Sequence, residues 1–310
     1  ERLFSKSNQW QDLLDILEME LEHVTSERER IELLTRIAAM LEEEFLSPDK
    51  AIPRYEQILE IDPNQESALV ALERLYRQAR LWQNLISTLE RHVAATHDRD
   101  ARIGLYTNIG VIYSTELGDF DRAMDAYRSV LDIDPEHIDS LDQLSRLQTK
   151  AEDWSAAHDT LKRLADTVSE TERKVDLYFR LGKLNEENLM DRGTAIEHFR
   201  SALDLNPGHL PSLEALRKIH LDEGEWLAAS RVLEAEQEHT DNTRQKSKLQ
   251  FELGELSRGR LADEEAGIHW FEKSLESDPD NQKAAEPLVD VYIAREKWPE
   301  AERLLDMLLR

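Results

Sequence analysis

Residues 106–135 read YTNIGVIYSTELGDFDRAMDAYRSVLDIDP, and the spacing of their apolar side chains decides the fold. Tyr106, Ile109, Gly110, Tyr113 and Leu117 recur at steps of three and four, as one face of an α-helix requires. Gly118-Asp119 interrupts that face. Ala123, Tyr127, Val130 and Leu131 then resume it in a second helix. Asp134-Pro135 ends the second helix, because proline has no N–H to donate and pushes the residue before it towards an extended conformation. The stretch predicts two antiparallel helices joined by a short polar turn. A looser copy follows: a third apolar face (Leu141, Leu144, Leu147), a break at Glu152-Asp153, and a fourth helix through Trp154, Ala157, Leu161 and Leu164.

Outward from this stretch, the chain repeats itself. Five of its six tryptophans, Trp10, Trp82, Trp154, Trp226 and Trp298, keep one constant lag and define a 72-residue period. Pro63, Pro135, Pro207 and Pro279 keep the same lag, each preceded by Asp or Asn (Asp62, Asp134, Asn206, Asp278). So do Leu59, Leu131, Leu203 and Leu275, the aromatics Tyr55, Tyr127, Phe199 and Phe271, and the small residues Ala51, Ala123, Ala195 and Gly267. These registers run without insertion or deletion. They predict one array over 1–310 of about eight and a half hairpins and about seventeen helices, with no strand. Its periods fall at 10–81, 82–153, 154–225 and 226–297, with a partial repeat at each end.

The motif Tyr106-x-x-Ile109-Gly110-x-x-Tyr113, then Ala123-x-x-x-Tyr127 and Pro135, resembles the tetratricopeptide repeat, whose pattern is W-x-x-L-G-x-x-Y, A-x-x-x-F and P. The other hairpin of the period matches more loosely, at Leu141-x-x-Leu144-Ser145 and Ala157-x-x-x-Leu161. The Asp-Pro turn, the glycine positions and the acidic charge favour this family over a related helical repeat of RNA-processing scaffolds. The resemblance covers essentially the whole chain and implies an all-α fold, a right-handed α-solenoid of stacked antiparallel helical hairpins. One departure concerns spacing: Gly110 to Ala123 is one residue longer than the family pattern, whereas Ser145 to Ala157 fits it. The period therefore alternates between about 35 and 37 residues, and the family's superhelical pitch does not transfer.

Composition narrows the function. Sixty-five acidic against thirty-nine basic residues leave a net charge of −26, which disfavours binding to nucleic-acid phosphates. Ten glycines in 310 residues is below the usual share of about 7%, and no phosphate-cradling loop, GxSxG elbow or HExxH motif occurs. With no cysteine there is no thiolate nucleophile, disulfide or Cys-ligated zinc. The ten histidines show no i, i+4 pair. Acidic runs such as Glu42, Glu43 and Glu44, or Glu264 and Glu265, read as solvated faces or acid-rich first turns. No catalytic residue, cofactor site or metal site is expected, and no apolar run is long enough to insert in a membrane. The periodic tryptophans read as packing between hairpins rather than as a stacking surface, and Trp270 as a partly buried flank.

In tetratricopeptide arrays the first helix of each hairpin lines the concave wall, and the resemblance implies the same here. The residue after the small packing position is then Arg74, Arg146 or Lys218 in the looser hairpins and Lys183 in one of the tighter ones. Arg77 lies on the face of Arg74, and Phe179 and Phe251 point the same way. This ladder of bases with two aromatics is a candidate strip for a partner peptide, since arginine grips a carboxylate with two parallel bonds. The alternative is that these bases pair with adjacent acids such as Glu73 or Asp142. A clamp for carboxylate-ended chaperone tails is not expected: Asn108 matches one position of that motif, but Thr107 and Val111 stand where lysine and asparagine are needed.

The expected function is thus a non-enzymatic scaffold that binds a protein segment or small domain along its concave face. The array looks like those of large bacterial multi-repeat proteins, and a cytoplasmic location is expected. The chain begins and stops part-way through a repeat, as a piece of a longer array would. Leu304, Leu305, Met307, Leu308 and Leu309 cluster on the last helix, so self-association through apolar ends is the alternative.

Overall fold

A computed structural model describes residues 2–309, with side chains from Gln9 onward. Among these residues all regular structure is helical, and the contacts divide the chain into two compact units, residues 1–153 and 154–310. The division falls at the start of a period. The first unit holds α1 (Arg2–His23), α2 (Glu27–Glu43), α3 (Pro48–Ile61), α4 (Glu66–Gln78), α5 (Trp82–Ala95), α6 (Arg99–Val111), α7 (Phe120–Ile133) and α8 (Ile138–Lys150). The second holds α9 (Trp154–Thr167), α10 (Thr171–Glu187), α11 (Arg192–Leu205), α12 (Leu210–Glu223), α13 (Trp226–Glu238), α14 (Thr243–Gly259), α15 (Glu264–Ser277), α16 (Gln282–Ala294) and α17 (Trp298–Leu308). Within each unit a helix packs on the one before it and the one after it, which is the stacked-hairpin architecture that the repeat predicts.

The small and aromatic registers explain why these hairpins close. Gly110, Gly182 and Gly254 each lie under the ring of Tyr127, Phe199 or Phe271, seventeen residues on. A methyl group at Gly110 would stand 2.8 Å from a Tyr127 carbon, and one at Gly182 2.5 Å from Phe199, both inside van der Waals contact. The backbone of one helix thus forms the floor on which the aromatic of the next is seated. All three rings are buried, and Ala38 and Tyr55 occupy the same registers in the first period. The helix pairs α2–α3, α6–α7, α10–α11 and α14–α15 are built on this contact.

The turns show where the extra residue of the longer hairpins sits. In the shorter ones the N–H groups of Leu81, Asp153, Glu225 and Lys297 donate to the carbonyl five residues back, at 2.8–2.9 Å. In the longer ones Ser47, Asp119, Asp191 and Asp263 donate to the carbonyl six residues back, at 2.9 Å. The insertion is absorbed as a widened last turn of the first helix, which after α6 becomes a π-helix over Ile112–Leu117. The second helix then starts cleanly, since Asp119, Asp191 and Asp263 each accept an N–H from three residues on, satisfying a donor that the helix itself leaves free. At the Asp-Pro turns, Asp62 and Asn206 accept the N–H two residues later, at 3.0 and 3.1 Å.

Each of these eight turns also holds one left-handed residue. Two are glycines, Gly118 and Gly224; the other six are Leu46, Arg80, Glu152, Met190, Ala262 and Glu296, with φ between 49° and 59°. A side chain there costs roughly 1–2 kcal/mol, of which glycine's greater freedom when unfolded returns part. Glu152→Gly and Met190→Gly are each expected to stabilise the protein by about 0.5–1 kcal/mol. A higher urea midpoint with unchanged slope would show it, and an unchanged or lower midpoint would contradict it.

The tryptophans depart from the core role expected of them. Trp10, Trp82, Trp154 and Trp226 are only half-buried, and Trp298 is 59% exposed. Four of the five occupy the first position of a second helix. Trp226, for example, lies against the Leu233, Leu249 and Leu253 cluster on one side and carries the Arg260 guanidinium 4.8 Å from its ring. Trp270 flanks the same cluster, half-buried, as expected.

Candidate partner-binding face

The first helices of the hairpins are α2, α4, α6 and α8 in the first unit and α10, α12, α14 and α16 in the second. In the first unit, polar contacts run sideways between them. Arg74 of α4 forms an ion pair with Glu42 of α2. Glu42 also holds the Tyr55 hydroxyl, and burial together with that carboxylate pushes the Tyr55 phenol well above its ordinary range. Arg77, one turn on, reaches the other way and donates to Asn108 Oδ1 of α6 at 3.3 Å. Arg77 has no ion pair among the described residues. Val70, 51% exposed on the face of Arg74, and Val111, 42% exposed one turn after Asn108, give this patch apolar neighbours. Arg146 of α8 is tied to Asp142 of its own helix at 3.0 Å, as the pairing alternative anticipated. Glu73 does not serve Arg74; it holds His92 Nδ1 at 2.6 Å instead.

In the second unit Lys183 of α10 is bound to Glu186 at 3.0 Å and to Glu187 at 2.5 Å. Its partial burial favours the neutral amine, but the two carboxylates outweigh that and hold the ammonium above its ordinary value. Phe179 leans on Phe199 and meets His209 edge-on, with ring centres 5.8 and 5.4 Å away. Phe251 leans on Phe271 at 5.7 Å. Both are half-buried, so they serve the core on one side and border the face on the other. Lys218 of α12 is exposed and has no ion pair among the described residues.

The structure thus separates the seven residues into three sorts. Arg74, Arg146 and Lys183 are neutralised by carboxylates, Phe179 and Phe251 are shared with the core, and Arg77 and Lys218 keep their charge available. The residue next to Lys218 was not legible as special. Arg217 Nε meets Glu236 of α13 at 2.8 Å, and its Nη1 meets Glu252 of α14 at 3.2 Å. Glu236 is only 3% exposed; burial raises its pKa and Arg217 works against that rise. Among the described residues no group of three or more His, Asp and Glu side chains is arranged to hold a metal, and no helix is long and apolar enough to cross a membrane.

Residues 68–103 and 114–173 match tetratricopeptide-repeat family profiles. No curated protein matches the chain. Among solved structures, the chain is similar to MamA, at 24% identity over 58% of this chain and 94% of that one, with a TM-score of 0.41. It is also similar to the C-terminal part of a TPR repeat-containing protein from Cytophaga hutchinsonii, at 16% identity over 80% and 97% of the two chains, with a TM-score of 0.44. A third similar structure is YrrB, described as a TPR protein with an unusual peptide-binding site, at 16% identity over 64% and 96%, with a TM-score of 0.38.

Proposed function

We propose that this chain, a tetratricopeptide-repeat protein, is a non-catalytic scaffold that holds a segment or small domain of a partner protein against the first helices of its hairpins. The observation that carries the reading is the pair of uncompensated cations, Arg77 in one unit and Lys218 in the other, in a chain whose net charge is −26. On the same two helices, α4 and α12, the neighbouring bases Arg74 and Arg217 are already matched by carboxylates. An exposed guanidinium with aliphatic neighbours suits a partner segment that carries a carboxylate beside an apolar side chain. The helices are formed before the partner arrives, so the ordering cost falls on the ligand, and affinity is spread over several repeats.

Arg77→Glu with Lys218→Glu should weaken partner capture about tenfold or more, equivalent to roughly 1.4 kcal/mol, while circular dichroism and melting stay as they are. Undiminished capture by that double variant would remove the first-helix face from consideration.

A further inference from the structure

Away from the first helices, one register of the repeat decides how the furrow between successive second helices is closed. It holds Arg54, Ala126, His198 and Trp270 in the four periods. Arg54 of α3 reaches across to Glu18 of α1 at 2.6 Å. His198 of α11 meets His158 of α9 at 3.4 Å, and Trp270 of α15 packs on the cluster that holds Ala229 and Leu233 of α13. Each of these three long side chains bridges its furrow. Ala126 of α7 ends at Cβ, and the furrow between α5 and α7 is an open cleft of about 470 Å³ floored by Ile86, Ile109 and Tyr106. In the first period Leu34 holds the register of Tyr106 and is buried, whereas Tyr106 itself is only half-buried.

The charge on the wall of this cleft says what fills it. Glu90 of α5 occupies the register of Glu18, so the furrow keeps the carboxylate that Arg54 grips but lacks the guanidinium. Glu90 is exposed, and its side chain has no ion pair or hydrogen bond among the described residues. The same register holds Lys162 beside His198 and Glu234 beside Trp270. Glu234 takes the hydroxyl of Ser230 at 3.3 Å, whereas Ile86, in the register of Ser230, has nothing to donate. The other charges of the cleft are matched. Arg122 lies 3.5 Å from Asp119 and over the Tyr113 ring, and Asp125 is bound to Arg128 at 2.8 Å.

We propose that the cleft between α5 and α7 receives an arginine side chain from a partner protein, placed as Arg54 is placed in the first period. The aliphatic stem covers Ile86 and Ala126, and the guanidinium pairs with Glu90. Tyr106 supplies an aromatic ring in the floor, on which a planar guanidinium stacks better than a compact ammonium does. The net charge of −26 speeds the approach of a basic segment. This site lies between second helices and does not depend on the first-helix face.

The test titrates a capped Ala-Arg-Ala tripeptide into the whole chain at low salt and follows the methyl NMR signals of Ile86, Ile109 and Ala126. Capped Ala-Lys-Ala and Ala-Trp-Ala serve as comparisons. The arginine peptide should shift these signals and bind more tightly than the other two. Glu90→Gln, a change at an exposed side chain, should weaken it at least about threefold, within the range of an ion pair near the surface. Ala126→Arg should pair internally with Glu90 and abolish the shifts; should it fail to fold, Glu90→Gln decides alone. Arg77→Glu with Lys218→Glu should leave the shifts in place. Binding no tighter than that of either comparison peptide, undiminished binding to Glu90→Gln, shifts that persist in Ala126→Arg, or unmoved methyl signals would each overturn the proposal. Loss of binding in the Arg77→Glu, Lys218→Glu variant would overturn it too, by placing the peptide on the first-helix face.

Discussion

Phe199→Ala is expected to destabilise the second unit by about 3–5 kcal/mol, the range for deleting a buried aromatic. Phe199 is fully buried, packed with Ala195, Ala215, Leu216 and Ile219. Its ring covers Gly182, and Phe179 leans on it from the side. The neighbour beneath has no side chain to move into the hole, so relaxation is limited and the upper half of the range applies. Denaturant titration measures the loss, and faster amide exchange across α10, α11 and α12 locates it. A loss below about 1 kcal/mol would mean that the ring does not close the hairpin. The complementary change sharpens the test. Gly182→Ala overpacks the native pair and should be better tolerated beside Phe199→Leu, where the smaller side chain leaves room, and a double-mutant cycle measures that coupling.

Arg217→Ala should have the second-largest effect, about 3 kcal/mol at neutral pH, the low end for breaking a buried ion pair. The low end applies because the Arg217 side chain is itself 20% exposed and shared with exposed Glu252. The cost arises on the partner: Glu236 is left buried and charged with its strongest counter-ion gone. Its pKa is already raised by burial, and removal of Arg217 raises it further. A group whose folded pKa exceeds its unfolded one binds more protons when folded, so stability climbs as pH falls through the folded value. The deficit should therefore be full at neutral pH and shrink as pH falls through the folded value of Glu236 in the variant, levelling off at its folded value in the unaltered chain, which burial also holds above the ordinary glutamate range. Adding Glu236→Gln should recover much of the loss at pH 7 and flatten the pH dependence. A deficit independent of pH would instead point to lost packing of the arginine stem.

Most of the hairpin architecture was legible because it depends on local periodicity and on registers that recur once per period. Gly110 and Tyr127, or Gly182 and Phe199, could be paired on paper, since a small residue opposite an aromatic seventeen positions on has few other uses in a helical hairpin. The extra residue of the longer hairpins was visible as a count. Its place, a widened last turn closed by a bond to the sixth residue back, was not, because either the helix end or the loop could have taken it.

The candidate face was legible only as a set of positions. Helical spacing put Arg74, Arg77, Arg146 and Lys218 on first helices but said nothing of what each side chain grips. Long flexible side chains choose among several carboxylates within reach, and the choice depends on which helix lies alongside. Arg74 turned to Glu42 of another hairpin rather than to adjacent Glu73. The contact between His158 of α9 and His198 of α11, whose Nε2 atoms lie 3.4 Å apart, was hidden for a related reason: the two stand on different helices far apart in the chain, and no helical repeat distance connects them.

The sequence by itself determined that this chain is an array of helical hairpins, where the breaks between helices fall, and which small residue lies in register with which aromatic. Those outcomes follow from backbone preferences and from contacts between helices adjacent in the chain, so they are written in short stretches and repeated. Only the tertiary structure decided which charges are spent within the fold and which stay available, and which imidazoles meet. Those outcomes depend on how far side chains reach along their own helix and across to the helices alongside, and those distances are set by packing.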